Sequence, residues 1–206
     1  VPKENISLTS YKKNVISTQR LLQYCFKKVI YISTVDVYPK NSDECKEDEQ
    51  LTNESAPGIY AYQKLIAEEI TKASSDSYLI LRLPMLVGID VRTNSIQRLI
   101  NGTKISLSGT STVNVVTHAL VLKFIQQAIR AKATGVFNLT AKTNATLSDL
   151  KIALKSKSNF GDFDYKTPNL NNSKAQKILP ELANSSESIV KAFSLEVFKH
   201  MKNSKK

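Results

Sequence analysis

Residues 29–38 are Val-Ile-Tyr-Ile-Ser-Thr-Val-Asp-Val-Tyr, and this stretch decides the fold. Its first part is a short apolar run rich in β-branched and aromatic side chains, which predicts a strand at 29–33. Before it, apolar residues recur at helical spacing over 9–27, and after it residues 39–58 are polar and acidic, as in a long surface loop. A short strand without polar alternation is typical of a parallel sheet covered by helices.

The alternation of helices and strands continues to the end of the chain. Residues 59–72 are predicted to form a helix and residues 78–83 a second buried strand, followed by a turn at 84–88 that holds a proline and a glycine. Further strands are expected at 113–117 and 136–140, and further helices at 118–131, 147–155, 173–179 and 186–201. The pattern predicts an α/β fold with a doubly wound parallel sheet. Ligands bind such folds at the carboxyl ends of the strands, here near residues 33–38 and 84–88.

Composition excludes several classes of protein. The 206 residues are 41% hydrophobic, enough for one core or for one large and one small domain. No apolar run approaches the roughly 20 residues of a membrane span, so no membrane partner is expected. Cys25 and Cys45 are too few for a disulfide framework, which favours a reducing, cytoplasmic compartment. The formal charge of +11 comes from scattered lysines, so nucleic-acid binding is the weakest of the hypotheses.

Tyr60 and Lys64 are the residues best placed to do chemistry. They lie four apart on a predicted helix, so both side chains project from one face. A neighbouring ammonium lowers the pKa of a phenol toward the working range of an acid or base, and lysine can also hold a ribose hydroxyl. A chain with eight tyrosines contains such a pair by chance, and Tyr24 with Lys28 forms a second one. Only the first pair follows a strand that ends in hydroxyl side chains, among them Thr34, which could polarise a substrate carbonyl.

Six motifs along the chain resemble, in their order, those of a known family. They are Tyr11-Lys-Lys-Asn14-Val15-Ile-Ser-Thr18, Tyr31-Ile-Ser-Thr34-Val-Asp-Val-Tyr38, Tyr60-Ala-Tyr-Gln-Lys64-Leu-Ile-Ala-Glu68, Leu81-Arg82-Leu-Pro84-Met-Leu-Val-Gly88, Gly135-Val-Phe-Asn138-Leu, and Ser173-Lys174-Ala175 with Ile178-Leu179-Pro180. The family is that of the extended short-chain dehydrogenases/reductases, also called the NAD-dependent epimerase/dehydratase family. The resemblance covers nearly the whole chain and corresponds to the carboxy-terminal two-thirds of the family's fold.

The resemblance implies a Rossmann-like fold in two parts. Residues 1–88 would be the remainder of the cofactor domain and would carry the catalytic helix. Residues 89–206 would be a mixed region that contributes a smaller substrate-binding subdomain and returning strands and helices. The implied activity is that of an NAD(P)-dependent epimerase, dehydratase or reductase that acts on a nucleotide sugar through hydride transfer, and a homodimer is one assembly consistent with it.

The resemblance also implies roles for single residues. The catalytic residues would be Thr34, Tyr60 and Lys64. Contacts to NAD or NADP would come from Asn14, Ser33, Tyr60, Lys64, Leu83, Pro84 and Met85. The nucleotide-sugar substrate would contact Thr34, Asp36 and Met85, and no metal is implied. The segments 39–58, 89–112 and 159–172 would build the rest of the substrate pocket.

Departures from the family pattern refine these expectations. The family's glycine-rich loop, G-x-x-G-x-x-G, has no counterpart among the six glycines, so the chain is expected to begin after the first strands of the fold. His118 replaces a common Asp, Met85 a common Asn, and Val113 an arginine that often reaches the substrate phosphate. Val35 and Asp36 replace the Asp-Glu pair of sugar 4,6-dehydratases, which favours an epimerase or a reductase.

An alternative from another class of protein stays open at this point. The chain could be a non-catalytic remnant of the same fold that serves as a protein-interaction module. Without the first strands, it would expose a sheet edge and apolar surface that favour association. Oligomerisation would support this alternative, and a monomer in light scattering would count against it.

Overall fold

The computed structural model describes residues 8–40, 42–52, 56–89 and 93–203, with side chains up to residue 199. The helices are α1 (Leu8–Tyr11), α2 (Ser17–Leu21), α3 (Ile59–Ser74), α4 (Ser95–Asn101), α5 (His118–Arg130), α6 (Leu147–Ala153), α7 (Ser173–Gln176) and α8 (Ser186–Asn203). The strands are β1 (Val29–Thr34), β2 (Tyr78–Leu83), β3 (Met85–Val87), β4 (Thr112–Val113), β5 (Val115–Thr117), β6 (Gly135–Asn138) and β7 (Ala145–Thr146). A π-helical turn, Lys12–Ile16, joins α1 to α2, and 3-10 turns span Val35–Val37 and Pro180–Ala183.

A parallel sheet of three strands, in the order β1-β2-β6, lies at the centre of the described structure. Val29 lies opposite Tyr78 and Leu79 opposite Gly135, so the carboxyl ends of the strands meet at one edge. Helix α3 makes the crossover from β1 to β2 that a parallel pair requires. The predicted α/β fold with a parallel sheet is confirmed.

Helices cover both faces of this sheet. On one face, Leu79 of β2 packs in a buried cluster with Phe124 of α5 and Phe137 of β6, whose rings meet edge to face with centroids 5.3 Å apart. Side chains alternate along a strand, so Arg82 points to the opposite face, where it contacts Glu68 of α3. The catalytic helix predicted from the sequence is therefore fixed to the sheet by its buried side.

A second buried cluster supports the elements beyond β2. It joins α4, α6 and α8 to two small sheets, a parallel pair β3–β5 and an antiparallel pair β4–β7. Its members include Val87, Ile96, Leu99, Val113, Leu147, Leu150 and Phe193. This cluster holds α4 in place beside the end of β3.

Some predicted elements have the wrong extent. The first helical stretch ends at Leu21 rather than at residue 27. The helical spacing of apolar residues continues beyond Leu21, but no described surface buries Tyr24 and Phe26, and both are exposed. The turn predicted at 84–88 contains β3, which pairs with β5. The helix predicted at 173–179 is only the single turn α7.

The strand predicted at 113–117 is divided between two sheets at Asn114. The Asn114 side chain, 1% exposed, accepts a hydrogen bond from the Ala141 N–H at 2.8 Å and donates to the Ala141 carbonyl and to Asn144. These bonds satisfy polar groups that burial would otherwise leave unpaired. The chain turns at this residue, so β4 pairs with β7 and β5 pairs with β3.

Helix α4 lies in the region 89–112, for which the sequence analysis proposed no helix. Asn94 caps it by accepting hydrogen bonds from the N–H groups of Ile96 and Gln97, and the Gln97 side chain accepts in return from the Asn94 N–H. Gly102 ends it in the left-handed region, at a φ of 69°. The pattern N-x-x-Q followed by a glycine is a local signal that could have revealed this helix.

The boundary between two parts at residue 88 stays a prediction. Strand β6 lies after that boundary in the sequence but pairs with β2, which lies before it. None of the described helices combines the length and the apolarity that crossing a membrane requires.

Candidate functional site

A cleft of about 480 Å³ opens at the carboxyl end of β1, where α3 begins. Its lining includes Asp36, Lys40, Tyr60, Met85, Arg98, Asp164 and Tyr165. Three of these, Asp36, Tyr60 and Met85, are residues that the sequence analysis assigned to the site. The cleft lies at the sheet edge where ligands of parallel α/β proteins bind.

Tyr60 is the second residue of α3 and reaches the cleft because it lies on the exposed side of that helix. Its side chain is 44% exposed, whereas its neighbour Ala61 is buried. Burial, and then the charge of Asp36, raise the pKa of the Tyr60 phenol. The phenol therefore carries its proton at neutral pH. Lys64 does not contribute to this change in the Tyr60 pKa, and the expectation that Lys64 lowers that pKa stays a prediction.

The reason lies in where the Lys64 ammonium is held. Its Nζ donates to the Ile32 carbonyl at 2.7 Å and to the Tyr31 hydroxyl at 3.1 Å, both on β1, and lies 4.6 Å from the centre of the Tyr31 ring. Burial lowers the pKa of Lys64, and the charge of Glu68 partly opposes this. Lys64 thus bridges α3 to β1 beside the site and makes no described hydrogen bond to Tyr60.

Thr34 ends β1 and caps the 3-10 turn that follows. Its hydroxyl oxygen accepts from the Asp36 N–H at 3.2 Å, and the hydroxyl donates to the Asp36 carboxylate at 3.3 Å. The side chain is 8% exposed. To donate to a substrate oxygen, as the resemblance implies, this hydroxyl would have to break its hydrogen bond to the Asp36 carboxylate.

Polar and charged side chains of the cleft also come from the three loop segments expected to build the pocket. Lys40 comes from 39–58, Arg98 from 89–112 and Tyr165 from 159–172. The Tyr165 hydroxyl donates to the Asp36 carboxylate at 2.7 Å. Burial, and then Asp36, raise the pKa of Tyr165. None of these residues was predicted from the sequence, since polar loop positions carry no periodicity that marks a cleft.

Ser33 lies behind the cleft rather than in it. It is 3% exposed, and its hydroxyl donates to Glu68 of α3. Glu68 also accepts two hydrogen bonds from Arg82, whose third bond goes to the Tyr38 hydroxyl at 2.8 Å. The Ser33 side chain is thus part of a buried network, and a contact of its hydroxyl to the cofactor is not supported.

The remaining predicted cofactor contacts differ in exposure. The Asn14 side chain donates a hydrogen bond to Gln63 at 2.8 Å. Gln63 precedes Lys64 on α3, so this bond helps to fix the position of the helix that carries Tyr60 and Lys64. Leu83 is buried in the core, whereas Pro84 and Met85 are partly exposed and follow directly from β2. Of these four, only Met85 lines the cleft.

A family model matches residues 3–113, more than half of the chain, and it describes the NAD-dependent epimerase/dehydratase family. The chain belongs to the NAD-dependent epimerase/dehydratase family. The match confirms the resemblance, and it includes Thr34, Tyr60 and Lys64 within its bounds. The comparison with curated proteins gave no match.

Solved structures of similar fold include an epimerase and a dehydratase that act on nucleotide sugars. UDP-glucuronic acid 4-epimerase from Bacillus cereus, in complex with UDP-glucuronic acid and NAD, is 23% identical with a TM-score of 0.70, over 90% of this chain and 67% of that one. MoeE5 in complex with UDP-glucose and NAD is 20% identical with a TM-score of 0.72, over 91% and 71%. dTDP-glucose 4,6-dehydratase from Bacillus anthracis, in complex with NAD, is 17% identical with a TM-score of 0.76, over 93% and 70%. At these identities the likeness establishes the fold.

Two departures from the family pattern have structural explanations. Val113 is fully buried in the second cluster and cannot reach a substrate phosphate. His118 is the first residue of α5, and a Cβ on Gly88 would lie 2.7 Å from its Nδ1, so the imidazole packs on the turn after β3. Within the described ranges, no three His, Cys, Asp or Glu side chains converge as a metal site would require.

Proposed function

We propose that this chain carries the catalytic site of an NAD(P)-dependent epimerase or reductase that acts on a nucleotide sugar, with Tyr60 as the acid/base. The observation that carries the proposal is the position of the Tyr60 phenol in a cleft at the carboxyl end of β1. Membership of the family supports the cofactor class. The UDP sugars and NAD bound in similar structures support the substrate class.

The chemistry requires one group that exchanges a proton with a sugar hydroxyl. A phenol has an ordinary pKa of about 10 and carries its proton at neutral pH. Burial and Asp36 raise the pKa of Tyr60 further, so the phenol can donate when a sugar carbonyl is reduced. In the oxidising direction it must first lose that proton. Lys64, one helical turn further on, is the cation that would favour the phenolate if its ammonium left β1.

The residues around the cleft fit a nicotinamide cofactor. The Lys64 ammonium has three N–H donors, of which two have described partners, so one remains for a ribose hydroxyl. Pro84 and Met85 offer a partly exposed surface at the end of β2, and Met85 reaches the cleft. When bound, the cofactor supplies the hydride acceptor or donor at the sugar carbon.

Arg98 fits the diphosphate of a nucleotide sugar. It lines the cleft, is exposed and has no carboxylate partner among the described ion pairs. One N–H donates to the Lys104 carbonyl at 3.2 Å, which leaves other donors of the guanidinium free. A guanidinium binds phosphate oxygens through paired N–H groups. Arg98 would thus bind the substrate phosphate that the buried Val113 cannot reach.

The test of the proposal is Tyr60→Phe, which removes one hydroxyl. In the protein made from its native gene, we expect it to abolish the interconversion of UDP sugars, followed by the sugar product, and to leave NAD affinity nearly unchanged. Tyr24→Phe is the matched control, because Tyr24 also precedes a lysine by four residues but is 71% exposed in a turn outside the helices. Its turnover should equal that of the unmodified chain.

Two results would contradict the proposal. Turnover that survives Tyr60→Phe would exclude Tyr60 as the acid/base. If the protein made from its native gene binds neither NAD nor a nucleotide sugar in calorimetry, the alternative of a non-catalytic interaction module is favoured.

A further inference from the structure

The charges that line the cleft are not distributed evenly around Tyr60. Asp36 lies on the 3-10 turn directly after β1 and lines the same cleft as Tyr60. If Tyr60 exchanges a proton with the sugar, as proposed above, the Asp36 carboxylate stands next to the sugar ring.

The Asp36 carboxylate is held in this position from two sides. The Tyr165 hydroxyl donates to one of its oxygens at 2.7 Å, and the Thr34 hydroxyl donates to the other at 3.3 Å. The backbone N–H of Asp36 is bonded to Thr34 as well, which fixes the turn itself. A ligand entering the cleft therefore meets a negative charge that cannot readily swing away.

Lys40 is a cation of the cleft that pairs with the Asp36 carboxylate. The Lys40 Nζ lies 4.0 Å from the Asp36 carboxylate and 4.2 Å from the centre of the Tyr165 ring. The side chains of Asp36 and Lys40 are 37% and 41% exposed, so water screens the pair only in part. The second cleft carboxylate, Asp164, accepts hydrogen bonds from the hydroxyls of Ser108 and Thr110. The other cation in the described lining, Arg98, is the one assigned above to the diphosphate, and among the described ion pairs only Lys40 pairs with Asp36.

We propose that Asp36 is a specificity-determining residue that selects a nucleotide sugar with an uncharged sugar ring over one that carries a carboxylate. The inference rests on the proposed function, since it places the sugar beside Tyr60. Like charges held near one another in a partly screened site oppose binding, which is a means of rejecting a wrong ligand. Similar structures hold UDP-glucuronic acid or UDP-glucose, and the structure favours the second kind for this chain.

The experiment compares the dissociation constants of UDP-glucose and UDP-glucuronic acid by calorimetry. The unmodified chain should bind UDP-glucose more tightly. Asp36→Asn, which keeps the size of the side chain and an acceptor for Tyr165, should improve the relative affinity for UDP-glucuronic acid by about three- to tenfold, the effect of one like charge at about 6 Å in a half-exposed site. Lys40→Gln should shift the preference the other way, because Asp36 then loses its compensating charge.

Asp164→Asn is the matched control, since it removes one negative charge from the same cleft at a position held by other hydroxyls. It should change the preference much less than Asp36→Asn. The inference is overturned if the unmodified chain binds both ligands equally, if Asp36→Asn leaves the ratio unchanged, or if Asp164→Asn shifts it as much. If neither UDP sugar binds the unmodified chain, both the proposed function and the role of Asp36 are contradicted. If a UDP sugar binds but Asp36→Asn has no effect on the preference, only the specificity role of Asp36 is overturned.

Discussion

The buried ion pair between Glu68 and Arg82 should be the most sensitive polar contact in the fold. The two side chains are 0% and 3% exposed, and they share two hydrogen bonds, at 2.7 and 3.1 Å. Burial opposes the charge on Arg82, but Glu68 and Tyr38 outweigh it and raise the pKa of the guanidinium. Removing either partner leaves the other charge buried and unpaired.

Replacing one partner should cost about 3–5 kcal/mol of unfolding free energy. Glu68→Met or Arg82→Met alone should therefore lower the melting temperature by roughly 6–20 °C for a chain of this size. In the double variant no unpaired charge remains, so its cost should be well below the sum of the two. Urea unfolding followed by circular dichroism gives each free energy, and the double-mutant cycle gives the coupling.

Glu69→Met is the control, because Glu69 neighbours Glu68 in sequence but pairs with Lys72 on the surface of α3. Its loss should cost less than about 1 kcal/mol. The reasoning is refuted if Glu68→Met costs no more than Glu69→Met, or if the double variant costs the full sum of its parts.

Two further predictions concern a helix cap and a thiol. Asn94→Ala should destabilise the chain by about 1 kcal/mol in urea unfolding, since α4 loses both hydrogen bonds that Asn94 accepts; an unchanged midpoint would mean the cap is not needed. Burial raises the pKa of the Cys45 thiol to about 11, whereas Cys25 is exposed. At pH 8 a thiol reagent should therefore modify one cysteine per folded chain and two in urea, and the slow thiol should react faster as the pH rises toward 11. Rapid modification of both thiols in the folded chain would contradict the burial of Cys45.

The central part of the fold could be predicted because its signals are local. Strand β2 has the predicted bounds 78–83, and α3 begins at the predicted residue, since a continuous apolar run and a long helical repeat each mark their element. Tyr60 could be placed by the same means, because its helix and the preceding strand end were both visible. The phenol lines a cleft at that strand end, and its role as the acid/base stays a prediction.

Features set by distant contacts could not be predicted. The division of 112–117 between two sheets depends on bonds from Asn114 to residues about 27 positions away. The contact between Asp36 and Tyr165 joins residues 129 apart, and neither lies in a regular element with a recognisable pattern. The Lys64 ammonium is held on β1 by Ile32 and Tyr31, and spacing along a helix cannot specify such a contact.

The irregular segment 159–172 has a consequence for redesign of the cleft. It contributes Tyr165, yet its backbone also bonds to three separate places: Asn159 accepts from Ile105, Tyr165 from Thr112, and Asn169 from Cys45. Replacing the whole segment would break these backbone hydrogen bonds at all three places, whatever side chains the new loop offered for binding. Altered ligand choice should therefore be sought by exchanging single side chains on an intact backbone, with the segment's length left untouched.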